Sequence, residues 1–417
     1  MKRRLIFIDP SITDCKGHYL EYALAVLKQA NKEGFACVLA TNQKFRYELE
    51  DMIHVEPIFK YTFWQIFGSN PYISDYGNCS VESNTFFLKR VIKCWRQKVY
   101  AKIYQKNLKY LLKKIKLNEN DIIFFPTVCH VELLTMTTVI RKLRCQYSSI
   151  HVLFRRPLYK GKNWKEERNN LFVRDIYSKF VEAKKNELEK LFFFTDTDEL
   201  AEQYNSLGVY RFGVLPIPHS RVNRHCCAHN VVTIGYLGGA RREKGFCVLP
   251  SIVEKIKKDV EFYIQTSLDE ESIEVKNALR KLQSYAQNNS NIILLDELDV
   301  DEYERAIEQI DILLVLYDSV AYSARSSGIF VEAITGGCIV LTMYNTWMAE
   351  QIEMFKSNYD LKVGEICYKQ EDAASMLEIM IAHIQDYKSD IQEAASIYGR
   401  IHNPHNLLES FEYAQRS

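Results

Sequence analysis

Acid is missing from one long stretch of this chain: no aspartate or glutamate occurs between Ser83 and Asn118, although the chain holds 53 of them against 54 lysines and arginines. The resulting formal charge of +1 argues against a dedicated nucleic-acid binder as a whole-chain property. Long apolar runs are absent too, since no stretch reaches the roughly eighteen residues that a membrane-crossing helix needs. The start, Met1-Lys2-Arg3-Arg4, leads into an apolar strand too short for a signal peptide, so a cytoplasmic location is expected. No Cys-x-x-Cys pair exists among 11 cysteines, and the adjacent Cys226-Cys227 makes no zinc knuckle by itself. Free thiols in a reducing compartment are expected. There is no internal repeat and no low-complexity tract. What remains is a chain of 417 residues, long enough for two domains that each bury a core.

Short apolar strands alternate with helical patterns, the signature of parallel α/β layers. Strands are expected at 5–8, 36–40, 121–125, 151–154 and 191–194 in a first sheet, with a helix over about 18–33. A second sheet is expected from 231–235, 260–265, 292–295, 312–316 and 338–341, with a helix over 246–257. The stiff segment Leu215-Pro216-Ile217-Pro218 marks a linker. The expected division is therefore 1–217 and 218–400, followed by a helical tail over 401–417.

One motif carries chemistry. In the run from Ser326 through Val340, small residues open a helix, Glu332 sits one turn in, and Gly336-Gly337 leads into a strand. The first amides of a helix lack intrahelical partners and carry the positive end of its dipole, so Ser327, Gly328 and Ile329 can offer N–H groups to phosphate oxygens. Glu332 lies on the same face, where a carboxylate can accept from a ribose diol. By itself this pattern is also an ordinary helix cap.

About eighty residues upstream, Val231 to Gly235 reads as a strand that runs into the glycine-rich, basic loop Gly238-Gly239-Ala240-Arg241-Arg242-Glu243-Lys244-Gly245. Arg241 and Lys244 suit a nucleotide diphosphate, the first as a fork and the second as a point charge. A solvated turn with a salt-bridged Glu243 is the plainer alternative.

With these two motifs the chain resembles the retaining GT-B glycosyltransferases of the "glycosyl transferases group 1" (family 4-like) type, well from Val231 to Val340 and in outline before that. The resemblance implies an α/β fold of two Rossmann-like domains facing each other across a cleft. It also implies retention of the anomeric configuration, a nucleotide-diphosphate sugar as donor and no separate cofactor. In that family the loop ending in Lys-Gly supplies cations, and a pair of glutamates separated by seven residues spans the helix start. The second glutamate falls on Glu332; the first falls on Ala324, and the family's usual arginine falls on Gly239. Arg241 and Arg325 are available as replacements. The pattern Tyr317, Tyr322, Arg325, Ser326, Ser327, Gly328 is similar to a bacterial subgroup with a Tyr, Arg, Ser-Gly version of the site.

In the first sheet, Gly17 and His18 close the loop after the first strand, where glycine lets a ligand approach the backbone. His18 is either an acceptor-side residue or a helix-start residue bonded to its own loop. His130 follows the strand 121–125, and the resemblance places a donor-sugar histidine near it; spacing alone reads it equally as a core histidine. Arg155 and Arg156 end the strand 151–154, placed to meet an acidic acceptor or the donor phosphates; Arg155 is the acceptor-side candidate, and one of the two is expected to be only a surface charge. Asp196-Thr197-Asp198 and Asp299-Val300-Asp301 have a metal-binding spacing, but both precede helical patterns and read as caps. No metal is expected.

The acid-free stretch combines eleven basic residues from Lys89 to Lys116 with apolar residues from Leu88 to Ile115 at helical spacing. It reads as a helix over about 86–117 with one greasy and one cationic face. Such a helix suits an anionic membrane surface, or it packs its greasy face on the first domain. The activity expected from all this is glycosyl transfer to a glycan or lipid-linked glycan in bacterial surface polysaccharide synthesis. The other readings are a non-catalytic glycan- or nucleotide-binding partner and a GT-B nucleotide-sugar epimerase.

Overall fold

A computed structural model describes the chain apart from residues 1–2, 15–17, 63–64, 66–83, 160, 162–163, 167–170, 220–230, 269, 271 and 417. The chain divides into two compact units, Met1–Pro216 with Pro404–Ser417, and Ile217–Asn403.

The first unit is built on seven strands: β1 (Arg4–Ile8), β2 (Ala36–Asn42), β3 (Ile53–Phe59), β4 (Asp121–Phe125), β5 (Ser149–Leu153), β6 (Leu191–Thr195) and β7 (Phe212–Val214). They lie in the order β3-β2-β1-β4-β5-β6-β7, and each neighbouring pair is parallel. Helices cover both faces, so the central strands are buried throughout and read as unbroken apolar runs. Ile6, Ile8, Ile123 and Phe125 point into one layer with the helices Asn84–Ile115 and His130–Leu143. Leu5, Phe7, Ile122 and Phe124 point into the other, which is closed by the helix His18–Lys32 and by Leu407, Leu408 and Phe411 of the tail helix Pro404–Arg416.

The second unit has six strands: β8 (Val232–Tyr236), β9 (Val260–Gln265), β10 (Ile292–Leu295), β11 (Ile312–Val315), β12 (Ile339–Met343) and β13 (Gly364–Cys367). Their order is β10-β9-β8-β11-β12-β13, again with parallel pairs. Two cores sandwich this sheet, one under the helices Leu249–Lys255 and Ile273–Asn288, the other under Gly328–Thr335 and Trp347–Tyr359.

Three expectations need correction. The helix expected over 246–257 begins as a 3-10 turn, Phe246–Val248, and is α-helical only over Leu249–Lys255. Pro250 fits the first helical turn, where its missing N–H costs nothing, and Ile256 returns to extended backbone. The strands β3, β7 and β13 were not expected from the sequence. Finally, the apolar residues of the helix Asn84–Ile115 do not form one face. Leu108, Leu111 and Leu112 join Tyr100 and Tyr104 in the core, whereas Val91, Ile92 and Trp95 are exposed. No described helix is long and apolar enough to cross a membrane.

Candidate functional site

In a doubly wound sheet, ligands bind beyond the carboxyl ends of the strands where the strand order reverses. In the second unit that point lies between β8 and β11. The loop after β8 passes Gly238 at φ +108, a conformation suited to glycine, and the Gly238 amide donates to Gln265 Oε1 at 2.6 Å. The chain then makes the turn Arg242–Lys244 and leaves it through Gly245 at φ +82. A β-carbon on Gly245 would lie 2.4 Å from the Leu316 carbonyl oxygen, so only glycine lets this loop press on the end of β11. The Asp318 amide completes the junction by donating to the Glu243 carbonyl at 2.8 Å.

From β11 the chain runs through Tyr317, Tyr322 and Arg325 to Ser327, the N-cap of the helix Gly328–Thr335. Ser327 Oγ accepts from the Phe330 amide at 3.3 Å. The amides of Gly328 and Ile329 fall in the first turn, which has no intrahelical acceptors. Tyr317 and Tyr322 pack with ring centroids 4.4 Å apart, and the Arg325 guanidinium lies 4.3 Å over Tyr322. Lys244 Nζ is 5.8 Å from the Tyr317 ring centroid. Glu243 Oε1 stands 3.8 Å from a guanidinium nitrogen of both Arg241 and Arg325, tying the two together. Burial pushes the Tyr317 phenol up and Tyr322 adds to that, while a hydrogen bond with Ser327 and the nearby Arg241 and Arg325 oppose it.

The two expected motifs are therefore parts of one edge. Gly238, Gly239, Arg241, Lys244, Arg325, Ser326, Ser327, Gly328, Ile329 and Glu332 all belong to the loops and helix start at this switch point. Chemically, the edge offers three cations and a helix N-terminus, a combination suited to two adjacent phosphates. Glu332 is half-buried and accepts a hydrogen bond from the Tyr303 hydroxyl at 2.7 Å. Ala324 is 1% exposed, a small core residue where the resemblance would put an acid.

The other expected residues belong to the first unit. Gly17 and the side chain of His18 lie outside the described residues; His18 is the first residue of its helix. His130 opens the helix His130–Leu143, is 3% exposed, and has Nε2 3.4 Å from Asp175 Oδ2. Burial raises the Asp175 carboxyl, but His130 and Lys179 outweigh this and hold it at about 2. Arg155 is no outward-facing charge: its guanidinium lies 4.3 Å over Tyr22, and Nε is 3.8 Å from Asp196 Oδ2. Beside them, at the end of β1, Asp9 is 3% exposed and accepts from the Ser11 amide at 2.8 Å. Burial pushes its carboxyl up to about 6, against the pull of Ser11 and Arg155.

No family model and no curated protein matches the sequence. Solved structures do match the whole chain. Sucrose-phosphate synthase from Thermosynechococcus elongatus aligns at TM-score 0.62 and 11% identity, over 99% of this chain and 98% of that one. Alr3699/HepE from Anabaena, in complex with UDP and glucose, aligns at TM-score 0.61 and 11% identity over 100% of both chains. WaaG, a glycosyltransferase involved in lipopolysaccharide biosynthesis, aligns at TM-score 0.55 and 12% identity over 99% of this chain and 98% of that one. The fold is GT-B.

Within this GT-B fold, two contacts at the edge were not legible in the sequence. Gln265 on the Gly238 amide and Tyr303 on Glu332 come from β9 and from the helix Val300–Glu308, with no local signal to connect them. The two acidic triplets do serve helix starts. Asp299 caps Val300–Glu308 in a capping box with Glu302. In the other triplet the cap is Thr197, which accepts from the Leu200 amide, while Asp196 is buried beside Arg155.

Proposed function

We propose that this protein is a glycosyltransferase that moves a sugar from a nucleotide-diphosphate donor to a glycan or lipid-linked glycan, with retention and without a metal, in bacterial surface polysaccharide synthesis. The observation that carries the reading is the meeting of Lys244, Arg241 and Arg325 with the amino end of the helix Gly328–Thr335. In the proposed reaction the bond between the anomeric carbon and the β-phosphate oxygen breaks. The acceptor hydroxyl oxygen takes the sugar, and its proton passes to the departing diphosphate. Negative charge then grows on the phosphate that Lys244 and the arginines face, so these groups stabilise the transition state more than the bound donor. Glu332, oriented by Tyr303, is the proposed ribose ligand. His130, Arg155 and the His18 loop are the proposed donor-sugar and acceptor residues of the first unit. That the similar HepE structure holds UDP and glucose supports a uridine diphosphate donor.

The test is a panel of sugar nucleotides screened for thermal stabilisation of the protein, followed by mass analysis of products with a glycan acceptor. At least one donor should stabilise the fold and yield a glycosylated product. Lys244→Ala should cut turnover about a hundredfold while leaving the protein folded. Stabilisation without transfer would favour a non-catalytic binding partner; conversion of the sugar nucleotide without acceptor would favour an epimerase. Unchanged turnover in Lys244→Ala would remove that residue from the mechanism.

A further inference from the structure

The helix Asn84–Ile115 divides its sides in a way that its composition does not reveal. At 100° per residue, Tyr100, Tyr104, Leu108, Leu111 and Leu112 fall on one stripe, and all five are buried in the first unit's core. The opposite stripe carries Val91, Trp95, Lys98, Lys102, Lys106, Lys109 and Lys113, with Ile92 and Tyr110 at its border. Every one of these is exposed, Trp95 by 64% and Tyr110 by 58%. None of the five lysines has an acidic partner among the described residues. By contrast Lys114, on the flank, is paired with Glu56 at 2.6 Å.

We infer that this outward stripe docks on an anionic lipid bilayer with the helix lying along the surface. Charge selects the occupant: five lysines face one way from a helix that contains no acid. A helix that is merely solvated usually interleaves acids with its bases to gain i,i+4 pairs. The apolar residues on the same stripe decide against a purely electrostatic partner such as a nucleic-acid backbone. Trp95 and Tyr110 stand about 22 Å apart along the axis, and Val91 and Ile92 extend the Trp95 end. In a bilayer these side chains enter the boundary between headgroups and acyl chains, while the lysines remain among the headgroups. The rest of the helix is anchored by its buried stripe, so the surface is presented already folded and no ordering cost falls on binding. The inference deepens the lipid-linked side of the proposed function and is read without any sugar nucleotide, so either can fail while the other stands.

The experiment is co-sedimentation of the full chain with vesicles of phosphatidylcholine alone and of phosphatidylcholine containing phosphatidylglycerol, at low and high salt. Binding should be at least tenfold tighter to the anionic vesicles and should weaken sharply as salt rises. Each lysine near such a surface strengthens binding about fivefold, so the triple variant Lys98→Glu, Lys102→Glu, Lys106→Glu should bind more than a hundredfold more weakly. Trp95→Ser should weaken binding at high salt, where the apolar contact remains. All four side chains are exposed, so the thermal unfolding of both variants should match the parent. Equal binding to neutral and anionic vesicles overturns the inference. So does undiminished binding by the triple variant, or loss of vesicle binding to an equimolar DNA duplex competitor.

Discussion

Lys244 Nζ stands 3.2 Å from the point where a β-carbon on Gly238 would lie. These two residues form one seat, in which the absence of a side chain at Gly238 makes room for the ammonium. The backbone there has φ +108, so any other residue is strained before it meets the lysine.

Gly238→Ala should therefore weaken donor binding about tenfold, because the seat is displaced by both the methyl group and the strain of about 1–2 kcal/mol. Titration calorimetry with the nucleotide diphosphate reads the effect. An affinity equal to that of the parent would separate this glycine from the donor.

Tyr303 donates to Glu332 at 2.7 Å, so it orients the proposed ribose ligand. Tyr303→Phe removes one hydrogen bond, typically about 1 kcal/mol, which should raise the donor KM about fivefold and leave kcat within a factor of two. A fall in kcat at constant KM would point to a role in the chemical step instead.

Asp9 gives the fold a pH dependence whose sign is set by its burial. Its carboxyl is raised from 3.8 to about 6, so the folded state holds the proton more tightly than the unfolded chain. Its contribution to stability is fully present below about pH 4, falls as pH rises through 6, and is absent above that; the whole effect is at most about 3 kcal/mol. Asp9→Asn cannot ionise, so relative to the parent it should gain stability as pH rises from 4 to 7. Urea unfolding at both pH values checks this, and parallel pH curves for the two proteins would refute it.

Phe411 is fully buried, 4.1 Å from the His151 ring and 4.9 Å from Phe124 by centroid distance. Burial holds His151 at about 3, neutral within this aromatic layer. Phe411→Ala should cost about 3–5 kcal/mol of stability in the first unit, read as a lowered denaturant midpoint. A loss under 1 kcal/mol would mean that the tail helix contributes little to this core.

The pattern of what the sequence showed follows from burial. Strands β1, β2, β4, β5, β6, β8, β9, β10, β11 and β12 each contain an apolar run that periodicity finds. The three strands that escaped, β3, β7 and β13, are all at sheet edges. β3 contains His54, Glu56 and Pro57, residues an edge tolerates and an interior strand does not. The site edge was legible because its cations, glycines and serines lie in two contiguous motifs. Gln265 and Tyr303 were not, because each reaches its partner from another element. Periodicity also misjudged the helix Asn84–Ile115 because it counted aliphatic residues and Trp95 but not Tyr100 and Tyr104, which supply the core contact.

The chain reaches Phe411 only after the whole of Ile217–Asn403 has been made. During synthesis the first sheet must therefore wait, with the faces of His151 and Phe124 uncovered, until the second unit has left the ribosome. The unit begun first is thus the one completed last, its aromatic face closed only when the tail helix docks on it.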